Sequence, residues 1–159
     1  MRIEVVSQYW APENGVPQRR WTWLTELLIR QGHQVFVITP PPHYARKISI
    51  KNWMLEIFSR SEFFEVGPSG EKILRCLYIP AGQSLTVRAL SQVVIALGSV
   101  LTFILKRRDL KGFRPDVVIG TVPALPTAVV AMVGAKSLNS PYVIDLRDAW
   151  PDLLSEVDK

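Results

Sequence analysis

The chain has 159 residues, 48% of them apolar and 21% charged, which suits one domain with a buried core and is too short for two of ordinary size. This composition excludes a disordered or fibrous chain, and a single cysteine, Cys76, far in sequence from His33 and His43, excludes an internal disulfide and leaves no zinc-like spacing. The net charge of +5 is uneven: residues 145–159 hold five of the fourteen acidic residues and two of the nineteen basic ones, so the rest is a basic body that attracts phosphorylated ligands, anionic lipid or nucleic acid.

Met1-Arg2 runs directly into the apolar run 3–6, without the n-region, h-region and cleavage site of a signal peptide, so a reducing cytoplasmic location is expected. That run, with 35–39, 116–120 and 142–145, is short, continuous and β-branched, as expected of strands buried on both faces. Between the first two, the spacing of Pro17, Trp21, Leu24 and Leu28 predicts a helix from about Val16 to Gln31, closed by Gly32. Residues 40–60 read as a long loop with one helical turn near Trp53 to Phe58. Two extended segments around Gly67-Pro68-Ser69-Gly70 predict an antiparallel hairpin within 61–79.

Residues 86–108 form the longest helical pattern, and Val87, Leu90, Val94, Leu97, Leu101 and Ile104 are expected to face the core. The apolar stretch Val93 to Leu105 falls short of the ~20 residues of a membrane span. A further helix is predicted over 124–138, rich in Ala and Val. Strands alternating with helices imply a parallel sheet with right-handed crossovers, the α/β class.

Ligands of such sheets bind beyond the carboxyl ends of the strands, which singles out residues 7–15, 121–126 and 146–151. Gly15 lets a ligand approach the backbone at a helix start, where free N–H groups favour phosphate and Arg19 and Arg20 add charge; a plain turn with solvated arginines is the other reading. Neither G-x-G-x-x-G nor the P-loop pattern occurs. Asp145, Arg147, Asp148 and Asp152 cluster at the last strand's end, where carboxylates can bind sugar hydroxyls or act as acid and base and Trp150 offers an apolar face; alternatively Asp148 caps a helix begun by Pro151. His33 reads as structural, whereas His43 and Tyr44 in the long loop are binding candidates. Lys106, Arg107, Arg108 and Lys111 are either a solvated helix end or a surface for anionic lipid headgroups. No helix alternates arginines with base-reading polar side chains, so nucleic acid is not an expected partner.

Taken together, the segments beginning Ile3-Glu4-Val5-Val6 and Arg114-Pro115-Asp116, with their Pro-Glu-x-Gly turn, Gly32-His33-x-Val35 exit and Arg147-Asp148-x-Trp150-Pro151 motif, resemble the amino-terminal half of glycosyltransferase family 4. The similarity spans nearly the whole chain and points to retaining GT-B enzymes of bacterial capsule and O-antigen synthesis. It implies a Rossmann-like parallel sheet with helices on both faces, one half of a GT-B fold. Residues 1–159 would be the acceptor-binding domain, and a carboxyl-terminal donor-binding domain would lie outside this chain. The implied reaction needs no metal and no cofactor in this domain. It moves a sugar from a nucleotide-sugar donor to a polysaccharide or lipid-linked acceptor at the inner face of the cytoplasmic membrane.

The resemblance places Asn14, Gly15 and Arg19 near the donor phosphates and Trp21 in the core. His43, Tyr44, Thr121 and Arg147 complete the candidate contacts to donor phosphate or acceptor, and Asp148 is the catalytic candidate; Thr121-Val122-Pro123 stands where many relatives carry a histidine. The alternative class is a stand-alone α/β module that binds a phosphate-bearing ligand or regulates a partner.

Overall fold

The computed structural model describes residues 1–13, 15–43, 49–59, 64–79, 85–106, 114–122 and 125–146. Along the chain lie β1 (Arg2–Val6), α1 (Val16–Arg30), β2 (Gln34–Thr39), α2 (Ile50–Ser59), β3 (Phe64–Val66), β4 (Lys72–Arg75), α3 (Leu85–Lys106), β5 (Val117–Val122), α4 (Leu125–Leu138) and β6 (Tyr142–Leu146). The strands form one sheet in the order β3-β4-β2-β1-β5-β6. All neighbours are parallel except β3, which folds antiparallel onto β4 as the expected edge hairpin. Val5 lies opposite Val37 on one side and Ile119 on the other, so β1 is central and the strand order reverses there. That reversal opens the crevice where sheets of this kind take ligands.

Side chains alternate between the faces, and each face has its own helical cover. Ile3, Val5, Val35, Val37 and Ile73 pack with Trp10 and Trp21 under α1. Val6 and Val118 pack with Val130, Ala131 and Ala135 of α4, while Ile38, Leu74 and Cys76 meet Ile95 of α3. Full burial of aliphatic side chains such as Val5 and Val37 stabilises the sheet by about 2 kcal/mol each.

Helix α1 begins with proline in its first turn and ends where the sequence predicts. Gly32, at φ +80°, donates to the Ile29 carbonyl while His33 donates to that of Leu28, the paired bonds of a Schellman motif.

Three expectations are corrected. The run 142–145, expected to be buried on both faces, is the edge strand β6, with Tyr142, Val143 and Leu146 exposed because among the described residues only β5 pairs with it. The single turn near Trp53 is a ten-residue helix, α2, and the Trp53 indole N–H donates to the Tyr78 carbonyl at 3.0 Å, a long-range tie that local pattern does not reveal. In α3 the face is reversed: Leu90, Leu97, Leu101 and Ile104 are exposed, and Ser91, Ile95, Gly98 and Ser99 point inward. Close packing is the reason. A Cβ on Gly98 would lie 2.6 Å from the Leu77 carbonyl oxygen, and one on Gly134 of α4 would lie 2.7 Å from the Phe103 ring. The small side of α3 therefore fits the layer, and the bulky stripe is left outside.

Among the described residues no helix is long and apolar enough to cross a membrane.

Candidate functional site

The strand ends converge on the amino terminus of α1. Gly15 is its N-cap, in extended backbone with φ −97° and ψ 168°, and no side chain caps the helix. No acidic residue occupies the first turn, so its N–H groups keep their attraction for an anion. A Cβ at Gly15 would lie 2.2 Å from the Oε1 of Gln18, the flexible end of a side chain that folds back over the turn. Arg19 is exposed one turn into the helix.

The loop after β1 is held internally. Ser7 Oγ donates to the Tyr9 carbonyl at 2.8 Å and receives the Thr121 hydroxyl at 2.9 Å, joining the ends of β1 and β5. Trp10 turns under α1, 6.0 Å from Trp21, and its indole N–H donates to Glu71 beside the β3–β4 turn at 3.2 Å. Across the loop after β2, the His43 N–H donates to Glu13 Oε1 at 2.7 Å. The His43 ring stacks on Tyr9 at 5.5 Å and tilts against Tyr78 at 5.8 Å. Burial holds the His43 imidazole below its ordinary range, so the ring is neutral at pH 7, with Nδ1 3.0 Å from the Pro41 carbonyl.

Arg75 ties these loops together. Its guanidinium, 2% exposed at the end of β4, donates to the carbonyls of Ala11 at 2.8 Å and Pro40 at 3.1 Å and to Glu65 at 3.0 Å. One side chain thus joins the loops after β1 and β2 to the edge hairpin. At the other side, Asp145 near the end of β6 accepts from Arg20 at 2.9 Å and from the Trp21 indole at 3.0 Å. Gln8 is buried at the end of β1, and its Oε1 has no hydrogen-bond partner among the described residues.

Of the residues singled out in the sequence, Gly15, Arg19, His43 and Thr121 all lie at the carboxyl end of the sheet. Gly15 and Arg19 flank the uncapped helix start. His43 and Thr121 are 4% and 2% exposed and act within the protein, one supporting Tyr9 and the other fixing Ser7. Asn14, Tyr44, Arg147, Asp148, Arg107, Arg108 and Lys111 lie outside the described residues, as does the side chain of Lys106. Sequence reasoning passed over Arg75, Glu71, Tyr9 and Gln8. Arg75 did carry a signal: an arginine within the apolar run Ile73-Leu74-Arg75-Cys76-Leu77 is buried only with partners. Burial pushes the Cys76 thiol up to about 11, so it is not a nucleophile at neutral pH. Among the described residues no cluster of three His, Cys, Asp or Glu could hold a metal.

A mostly parallel sheet that reverses at β1, with helices on both faces and an uncapped helix start at its crevice, defines a Rossmann-like domain of the kind that forms half of a GT-B enzyme. Residues 15–159 match the glycosyl transferase 4-like domain family, and the chain belongs to it. It is 30% identical over 155 residues to the putative colanic acid biosynthesis glycosyl transferase WcaI of Escherichia coli K12, covering 97% of this chain and 36% of WcaI. The glycotransferase of kitacinnamycin has the same fold, with a TM-score of 0.57 at 14% identity over 98% of this chain and 34% of its own. The C-terminal domain of the PF1911 hydrogenase from Pyrococcus furiosus is also similar, with a TM-score of 0.51 at 14% identity over 91% of this chain and 90% of its own. Fold alone therefore does not select a chemistry. The chain spans about a third of the length of the transferases it matches.

Proposed function

We propose that this domain is the acceptor-binding half of a retaining transferase that moves a sugar from a nucleotide-sugar to a cell-surface polysaccharide or lipid-linked acceptor, at the inner face of the cytoplasmic membrane. The observation that carries the reading is the uncapped amino terminus of α1 at the switch point, with Gly15 and Arg19 beside it, in a chain of the glycosyl transferase 4-like family. In this scheme the acceptor hydroxyl attacks the anomeric carbon on the face from which the nucleoside diphosphate departs. A diphosphate oxygen takes the hydroxyl proton as the old glycosidic bond breaks. The protein positions the two sugars and stabilises charge on the leaving group. Asn14, Gly15 and Arg19 face the donor phosphates. Tyr44, Thr121, Arg147 and His43, whose ring stacks on Tyr9, are the candidate contacts to the acceptor or donor phosphate, and Asp148 is the candidate for contact with the reacting hydroxyl. The donor is bound chiefly by a second domain, and no metal or resident cofactor is required.

The test is sugar transfer by the full-length protein to a water-soluble acceptor, assayed across nucleotide-sugars. Arg19→Ala is expected to lower kcat/KM by about 10- to 100-fold, a loss of about 1.4–2.7 kcal/mol of transition-state stabilisation. Residues 1–159 alone are expected to be inactive. Transfer by residues 1–159, or unchanged kinetics in the Arg19 variant, overturns the assignment.

A further inference from the structure

A partly open cavity lies where β1 ends against α3 and α4. Its volume is about 10 Å³, room for one group the size of a hydroxyl. Val6, Ile95 and Val130 give it apolar walls, and none of the described residues lining it is charged. Two of its polar residues are already engaged: Ser7 Oγ donates to the Tyr9 carbonyl and receives the Thr121 hydroxyl, and Ser99 Oγ donates to the Ile95 carbonyl at 2.8 Å.

Gln8 is different. It lines the same cavity and is 6% exposed, yet its Oε1 has no partner among the described residues. A carboxamide oxygen withdrawn from water without a partner weakens the fold, so an orphan of this kind calls for a specific explanation. Its place in the fold supplies one. Gln8 is the second residue after β1 and Thr127, also in the lining, belongs to the first turn of α4 after β5, so both stand at the carboxyl end of the sheet, where such sheets take ligands.

The chemistry of the lining selects the occupant. The Gln8 oxygen accepts a hydrogen bond, while the Thr127 hydroxyl and the amide of Gln92 can donate one. A hydroxyl both donates and accepts, and satisfies this set with a single atom. A phosphate is too large for the space, and a metal or ammonium ion would meet no carboxylate among the described lining residues.

We propose that this cavity is the slot for one hydroxyl of the acceptor sugar and that Gln8 is the residue that reads it. This rests on the acceptor-binding reading of the domain and adds a specificity-determining residue to it. Gln8 Oε1 accepts from the hydroxyl, and Gln92 or Thr127 donates to it. No bond is made or broken in the slot; filling it orients the ring, and so decides which other hydroxyl is left facing the donor.

The experiment uses the full-length protein with the methyl glycosides of glucose, galactose and mannose and the monodeoxy forms of each. Affinity is read by ligand-observed NMR titration and transfer by kcat/KM across nucleotide-sugars, for wild type, Gln8→Leu and Gln8→Met, with urea unfolding of all three. Expected is one hydroxyl whose removal weakens wild-type binding by about tenfold or more. Both variants should lose about as much on the parent glycoside and little further on that deoxy form, so the two losses do not add. Their urea midpoints should equal or exceed that of wild type, because a polar group without a protein partner has been removed. Wild type that binds none of the glycosides, or variants that discriminate parent from deoxy form as wild type does, overturns the proposal. Lower midpoints in both variants overturn it as well, and assign the carboxamide to a structural water only. The expected binding pattern with no transfer by any form removes the transferase reading and leaves the slot standing.

Discussion

Trp21 and Asp145 lie 124 positions apart in the chain, yet the indole N–H of the first donates to the carboxylate of the second at 3.0 Å. The other oxygen of the same carboxylate takes Arg20 at 2.9 Å. The second turn of α1 is thereby fastened to the end of β6, on the far side of β1 and β5 from β2. A tryptophan that packs among Val5, Val35 and Val37 also fixes the edge of the crevice.

Removing the carboxylate should therefore cost more than removing its charge. Asp145→Ala leaves a half-buried indole N–H unpaired and should destabilise the domain by about 1–3 kcal/mol. Asp145→Asn keeps an acceptor for the indole and loses mainly the pair with Arg20, which is half exposed, for about 1 kcal/mol or less. Urea midpoints with an unchanged m-value measure both.

Arg75→Met should be the most damaging change near the site. It strands the carbonyls of Ala11 and Pro40 and unpairs Glu65, at a cost of about 3 kcal/mol or more. Arg75→Lys should recover only part of this, because an ammonium lacks the planar fork that reaches three acceptors. Urea unfolding of both variants gives the comparison, and the Lys variant must fall between Met and wild type.

Stability should decline with rising pH because of Glu4. Its carboxyl is buried in the middle of β1, and desolvation raises its pKa from 4.5 to about 8. Between those values the unfolded chain releases a proton that the folded one keeps, so the unfolded state gains as pH rises. The slope approaches about 1.4 kcal/mol per pH unit at its steepest. Glu4→Gln should flatten it, which unfolding curves at pH 5.5, 7 and 8.5 will show.

Cys76 should be silent toward thiol reagents in the folded protein. Its thiol is buried, receives the Ser99 hydroxyl at 3.4 Å and stays protonated well above neutrality. Labelling by a disulfide reagent at pH 8 should proceed only as fast as the chain opens, and should become rapid in denaturing urea. Fast native-state labelling would contradict the burial.

Much of the sheet could be read directly, because β-branched runs such as 35–39 and 116–120 leave a strand buried on both faces as the natural outcome. The α1 stop at Gly32 was equally legible, since only a left-handed residue completes the paired bonds there. Periodicity failed in α3 because both of its sides carry apolar residues, and the choice was made by the approach distance at Gly98 and Gly134. The candidate site was legible only as a position at the strand ends, through Gly15 and Arg19. Its internal wiring was not: Arg75, Glu71 and Asp145 find partners from 61 to 124 positions away, and no local spacing encodes such pairs.

The Arg75 knot also bears on how such a site can change over time. Two of its three acceptors are main-chain carbonyls, at Ala11 and Pro40, and a carbonyl is present whatever side chain stands at the position. These two ties therefore survive substitution at positions 11 and 40, while Ser7, Trp10, Glu13 and His43 hold the rest of the two loops through their own side chains. Exchanging these loops between relatives should succeed where an arginine stands at the position of Arg75, and should fail where it does not.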